Sequence, residues 1–152
     1  MLISQKIDMF KLVDISTLSK LEKNMTVKFY RCAICGKIIT MIHETMVPTV
    51  CCGEDMYELI PGTTDAATEK HVPIVTRHGN LVDVKVGSVE HPMTTEHYIQ
   101  WVFLQTKNGT QLKEFQPGDK PYAHFMIFED DEIISVFEFC NLHGLWKADK
   151  IS

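Results

Sequence analysis

A mainly β architecture is what this sequence predicts, with a small cysteine-rich module ahead of a larger antiparallel sandwich. Three observations carry that expectation. Four of the five cysteines crowd into residues 32–52. From residue 71 onward, short runs of β-branched and aromatic residues alternate with turn signals. No segment of that second part repeats its apolar residues at convincing helical spacing.

Composition bounds the function. A chain of 152 residues suits one ordinary domain, or a small one plus a medium one. With 45% apolar and 23% charged residues it reads as a soluble globular protein. No apolar run approaches a membrane span. The N-terminus lacks a basic region followed by an apolar stretch and a small-residue cleavage site, so a cytoplasmic location is expected. A net charge of −5 argues against nucleic acid as a partner. Clustered cysteines in a reducing compartment point to metal or redox chemistry more than to disulfides.

Taken in order, the chain opens with an extension, residues 1–25. Its apolar residues Ile3, Ile7, Phe10, Val13, Leu18 and Leu21 recur at roughly helical spacing. Three readings fit: an amphipathic helix docked on the body or a partner, a loosely ordered tail, or an artefact of start-site choice ahead of Met25.

Residues 26–62 form the expected metal module. Strand signals at 27–31 and 38–42 flank Cys32-x-x-Cys35-Gly36, and residues 47–50 lead into Cys51-Cys52-Gly53. About 35 residues bury little core, and domains this small usually need a metal or disulfides. Two cysteine pairs on two chain turns supply four thiolates to a tetrahedral site, and thiolates accept both structural zinc and redox iron. A thioredoxin-like pair at Cys32 and Cys35 is the rival, but no βαβ pattern surrounds it and Cys51 and Cys52 would be unexplained. Residues 61–68 are small, polar and turn-prone, a linker signal.

Residues 63–152 form the expected sandwich. Strand runs at 71–75 and 81–86 flank a hairpin turn at 77–80. The run 98–104 meets Asn108-Gly109, a strong hairpin signal, before 111–115. Runs at 123–128 and 133–137 flank an acidic turn, Glu129 to Glu132. Six or seven short strands in this length suggest an antiparallel sandwich like that of immunoglobulin domains, a fold that carries function in its end loops.

Near the C-terminus, Cys140-Asn141-x-His143-Gly144-x-Trp146 sets a thiol and an imidazole three residues apart. Three readings compete: transition-metal ligands, a nucleophile with its base, or a buried thiol beside a surface histidine. Blue copper would want a methionine shortly after the last histidine, and none follows His143. A Cys/His hydrolase would want an orienting acid or amide, and none is compelling. His71, His91 and His97 remain as further donors, while His43, His78 and His124 read as solvent-exposed. Alternation would place His97, Ile99, Trp101 and Phe103 on one strand face.

Together, Cys32-x-x-Cys35 with Cys51-Cys52, Glu69-Lys70-His71-x-Pro73, His91-Pro92-Met93, His97 and Cys140-Asn141-x-His143-Gly144-x-Trp146 resemble desulfoferrodoxin, the two-iron superoxide reductase family. The resemblance runs from about Val27 to Lys147, and the extension is the departure from it. It implies a desulforedoxin-like (rubredoxin-like) module with one iron on Cys32, Cys35, Cys51 and Cys52. It implies a second iron in the sandwich, with His71, His91, His97 and His143 equatorial and Cys140 axial. Its sixth position would be open or closed by Glu69, and Lys70 would attract superoxide and guide a proton. A rubredoxin-like electron donor and a homodimer, with the module at its interface, are further implications. Electron transfer without fast superoxide chemistry, or a zinc-stabilised binding module, are the alternatives. Pro73 and Pro92 would stiffen their loops, and Trp146 would shield the site edge or anchor the last strand.

Overall fold

The computed structural model describes residues 27–64 and 66–149. The extension predicted over residues 1–25 lies outside them, apart from which the mainly β expectation holds. In the cysteine module, β1 (Phe29–Arg31) pairs antiparallel with β2 (Ile38–Thr40) and with β5 (Tyr57–Glu58). A hairpin joins β3 (Val50–Cys51) to β4 (Glu54–Asp55). Its two-residue loop, Cys52-Gly53, has φ of +54° and +85°. Two positive values in succession match the right-handed twist of a tight hairpin, and glycine takes the second at no steric cost. Strands β4 and β5 were not anticipated, because two residues leave no alternation to read.

One helical turn, α1 (Thr68–His71), ends the connection to the sandwich. No helix was expected there. It stops after one turn because Pro73 disfavours helical backbone at the preceding residue, and Val72 is extended at φ −60°, ψ 121°.

Seven antiparallel strands then make two sheets. Strands β6 (Pro73–His78), β7 (Leu81–Val86) and β10 (Tyr122–Met126) form one, in the order β10-β7-β6. Strands β8 (Ile99–Thr106), β9 (Thr110–Glu114), β11 (Ile133–Cys140) and β12 (Gly144–Ala148) form the other, in the order β12-β11-β8-β9. Val75, Val82, Val84, Val102, Leu104, Phe125 and Val136 fill the space between them. That core sets the strand faces, since a one-residue slip would turn these side chains to solvent.

The four-stranded sheet is apolar on its outer face too, because the cysteine module sits there. Phe29 of β1 packs on Trp101, Phe103 and Phe137, with ring centroids 4.9–5.3 Å apart. Arg31 lies over Phe139, which stacks on Trp101 at 5.5 Å.

One predicted face is corrected. Trp101 pairs with Phe139 but Ile99 pairs with Cys140, so Gln100 is an extra residue in the ladder. This bulge breaks the alternation. Ile99 and Cys140 turn into the core between the sheets, whereas Trp101 and Phe103 stay on the module side.

Candidate metal centres

The end of the sandwich nearest α1 gathers His71, His91, His97, Cys140 and His143, whose ligand atoms all lie within 4.8 Å of one another. They come from three separate pieces of backbone. His71 ends α1, His91 and His97 lie on the loop from β7 to β8, and Cys140 and His143 bracket the β11–β12 turn. The rings close a cycle in the order 71, 91, 97, 143, with neighbouring centroids 4.6–4.8 Å apart and planes 74–81° to one another. His71 is therefore opposite His97, and His91 opposite His143.

Hydrogen bonding assigns the tautomers. His71 Nδ1 lies 2.8 Å from the Ala67 carbonyl and His91 Nδ1 2.6 Å from the Pro92 carbonyl, so both donate their N–H outward. Their Nε2 atoms, both lone pairs, then face each other at 3.1 Å. His71 Nε2 is also 3.0 Å from His143 Nδ1. Among the described residues, buried His97 Nε2 has no hydrogen-bond partner. Inward lone pairs at this spacing repel, and a cation between them removes the conflict. Metal–nitrogen bonds of about 2.1 Å put neighbouring donors of a square about 3.0 Å apart, against about 3.4 Å in a tetrahedron. The observed edges match the square.

Cys140 lies off this square, its Sγ 3.6 Å from His143 Nδ1. Burial pushes its thiol pKa up, while backbone N–H groups of His143 and Leu142 pull it back. Burial also favours the neutral form of three of the imidazoles. The His91 pKa is lowered to about 4, and those of His71 and His97 are lowered too, with burial the main cause in each. Neutral imidazoles and a hydrogen-bonded sulfur are what a cation needs from its ligands.

Several further groups support the site. Asn141 accepts the Tyr98 N–H at 2.9 Å and donates to the Glu96 carbonyl at 2.9 Å, tying the His97 loop to the Cys140 turn. Trp146 stacks on His71 at 4.8 Å and donates to the His143 carbonyl at 3.1 Å. It therefore shields the site edge and anchors β12 at once. Glu138 is fully buried two residues before Cys140. Burial raises its carboxyl pKa well above the ordinary value, and among the described residues neither oxygen has a hydrogen-bond partner.

Glu69 and Lys70 stand on α1 beside His71, Glu69 exposed and Lys70 half-buried. The Lys70 charge is felt at both His71 and His97. Their turn is latched from behind, with the Glu69 carbonyl accepting the Val89 N–H and the Ser88 hydroxyl at 3.0 and 3.2 Å. Gly87 makes that approach possible. It has φ +75°, and a Cβ there would lie 2.5 Å from the Lys70 carbonyl oxygen. Gly87→Ala is expected to cost more than about 1–2 kcal/mol, the left-handed penalty alone. It should also displace the Glu69–Lys70 turn, read as a lower Tm. An unchanged Tm would show that the turn yields freely.

The second cluster is Cys32, Cys35, Cys51 and Cys52, again within 4.8 Å. Cys35 and Cys51 sulfurs are 3.7 Å apart, and Cys51 and Cys52 sulfurs 3.9 Å. A disulfide would need about 2.05 Å, whereas a tetrahedron with metal–sulfur bonds of about 2.3 Å has edges of about 3.8 Å. The Cys35 N–H leads in drawing the Cys32 thiol down to about 6, while the Cys35 thiol leads in pushing Cys52 up to about 12. Four thiolates share this space only around a cation. All nine predicted ligand residues are thus found in two groups. His43, His78 and His124 are exposed and outside both.

A sandwich end of four imidazoles and a thiol, beside a four-cysteine module, defines a metal-dependent oxidoreductase of the superoxide reductase class. The desulfoferrodoxin family model matches residues 63–149, and that of the desulfoferrodoxin N-terminal domain matches residues 24–59. The chain belongs to the desulfoferrodoxin family. It is 43% identical to a desulfoferrodoxin homolog of Archaeoglobus fulgidus, over 78% of this chain and 94% of that one. It is 43% identical to a desulfoferrodoxin of Nitratidesulfovibrio vulgaris, over 80% and 95%. The crystal structure of the superoxide reductase from Treponema pallidum superposes with a TM-score of 0.69 at 42% identity, covering 81% of this chain and 98% of that one. Among the described residues, no helix is long and apolar enough to cross a membrane.

Proposed function

We propose that both centres hold iron, and that this superoxide reductase turns superoxide into hydrogen peroxide at the sandwich centre. His71, His91, His97, His143 and Cys140 would hold that iron. The observation that carries this is the square of inward-facing nitrogens above a buried, hydrogen-bonded sulfur. Iron there supplies the single electron. Superoxide takes one electron and two protons to become hydrogen peroxide.

The chain's own residues do the rest. Lys70 presents a cation beside His71 and His97, on the route of a small anion, and raises its encounter rate. The same ammonium orders water that delivers a proton. Glu69, exposed on the same turn, would supply a carboxylate beside the iron. Buried Trp146 keeps solvent from the His71 edge.

The module, residues 26–62, would act as electron relay or structural centre for the domain at 63–152. A rubredoxin-like protein would be the donor. Contact of Phe29 with Trp101, and of Trp101 with Phe139 beside Cys140, supports the relay reading. Exposed Ile34, Ile42, Met46, Val47 and Val50 on the module support its use in a homodimer.

Metal analysis and rapid mixing test this reading. Two irons per chain are expected, with peroxide formed and no oxygen released. Zinc in both centres, or a reaction no faster than that of a simple ferrous complex, would overturn it. Lys70→Ala should lower the second-order rate about tenfold and flatten its salt dependence. An unchanged rate would leave Lys70 as an ordinary solvated charge.

A further inference from the structure

His97 is held differently from its neighbours in the ring of donors. His71 and His91 each donate Nδ1–H to a carbonyl, of Ala67 and Pro92, and that bond fixes where the Nε2 lone pair points. Among the described residues, His97 Nε2 has no hydrogen-bond partner. Its side chain is also less enclosed, since His71 is 1% exposed and His91 2%, whereas His97 is half-buried. What places this ring is its main chain.

That main chain is a closed turn. The Thr94 N–H donates to the His97 carbonyl at 2.9 Å, and the His97 N–H lies 3.2 Å from both the Thr94 carbonyl and the Thr94 hydroxyl. A turn closed on itself keeps its shape but not its place on the sandwich. Met93 anchors the flanks, its carbonyl accepting the Gly118 N–H at 2.7 Å and its sulfur the Ile99 N–H at 3.4 Å. Neither bond reaches the peptide groups of His97.

Asn141 reaches both. Its side-chain oxygen accepts the Tyr98 N–H at 2.9 Å, and its amide nitrogen donates to the Glu96 carbonyl at 2.9 Å. The Asn141 N–H adds a third bond, to the Tyr98 carbonyl at 3.2 Å. The Glu96 carbonyl and the Tyr98 N–H belong to the two peptide groups that join His97 to the chain, so one side chain grips His97 from both sides. The amide must show an acceptor to an N–H and a donor to a carbonyl, and a single orientation of asparagine does both. Aspartate would accept but not donate, and would set a carboxylate oxygen against the Glu96 carbonyl. Asn141 directly follows Cys140, which is fully buried and pairs with Ile99 across the ladder. The grip therefore refers His97 to the sulfur.

We propose that Asn141 is a positioning residue of the sandwich centre, fixing His97 relative to Cys140 through the two peptide groups that flank it. The proposal rests on the reading that the five-residue cluster holds a metal. His97 is then the donor that leaves first when the grip is lost.

Loss of iron to a chelator from the full iron-loaded protein tests it, followed at the absorption of each centre so that the four-cysteine centre is an internal reference. Asn141→Ala should speed loss from the sandwich centre about tenfold, the usual effect of removing a group that orients a ligand, and leave the other centre unchanged. Asn141→Asp should not restore the parent rate. In a His97→Ala background the effect of Asn141→Ala should vanish, because a group acting through His97 has nothing left to act on. An unchanged rate in Asn141→Ala, or a parent rate in Asn141→Asp, would overturn the proposal. The same gain in both backgrounds would overturn it too, since that is a general structural role. If His97→Ala holds no iron in the sandwich, the crystal structure of iron-loaded Asn141→Ala decides. His97 displaced from the metal, with His71 and His91 in place, is expected, and all four rings at their parent distances would overturn the proposal. A parent protein with no metal in the sandwich would overturn the metal reading itself, and this proposal with it.

Discussion

Replacing Cys140 with serine is expected to abolish the thiolate-to-metal absorption of the sandwich centre and leave that of the four-cysteine centre intact. The thiol is fully buried at the end of β11, whose alternation turns Val136 and Cys140 into the core and Phe137 and Phe139 toward the module. Its sulfur is 3.6 Å from His143 Nδ1 and faces the N–H groups of Leu142 and His143. Serine keeps the volume and these hydrogen bonds but removes the soft donor, so the ligand field changes while the fold does not. The four cysteines of the module lie outside the sandwich strands and keep their geometry. Absorption spectra of the oxidised variant and parent, with iron-to-chain ratios, provide the measurement. Retention of both bands would refute Cys140 as a ligand, and loss of both would show that the two centres assemble as one unit.

Acidification should weaken the metal-free fold between about pH 6.5 and pH 4, with the sign set by the imidazoles. His91, only 2% exposed, is held near pH 4 by burial against an ordinary value of 6.5. Above pH 6.5 it is neutral folded or unfolded, and its full contribution is present. As pH falls through that window the unfolded chain gains a proton that the folded chain refuses, and stability drops. The gap corresponds to at most about 3 kcal/mol for His91 alone. His71 and His97 are shifted the same way. Glu138 acts oppositely. Its folded pKa is raised, so its contribution is present below the ordinary carboxyl value and declines as pH rises. The Glu138→Gln variant removes this opposing slope, so that the imidazoles alone set the sign there. Urea midpoints of the metal-free protein at pH 7 and pH 5 give the reading. A midpoint unchanged in that variant would mean that the rings are not desolvated as the structure places them.

The ligand set was legible in the sequence because donor types and short spacings survive without coordinates. Cys32-x-x-Cys35, Cys51-Cys52 and Cys140-x-x-His143 announce themselves within a few residues. The sandwich was legible through alternation and Asn108-Gly109. What stayed hidden was either too short or too distant. Strands β4 and β5 and the turn α1 offer no period to detect. The Ala67 and Pro92 carbonyls that set the histidine tautomers have no residue-type signature. Gly87 had one cue, a glycine closing a strand, but the clash it avoids is with Lys70, far along the chain.

By itself, then, the sequence determined the mainly β class, the two groups of ligands and the family, since each rests on residue types in local order. The tertiary structure decided which histidines stand opposite each other, that the bulge at Gln100 turns Ile99 inward beside Cys140, and that Phe29 seats the module on the sandwich. Those depend on strand register and on contacts between distant segments, which exist only after the sheets close around a common core.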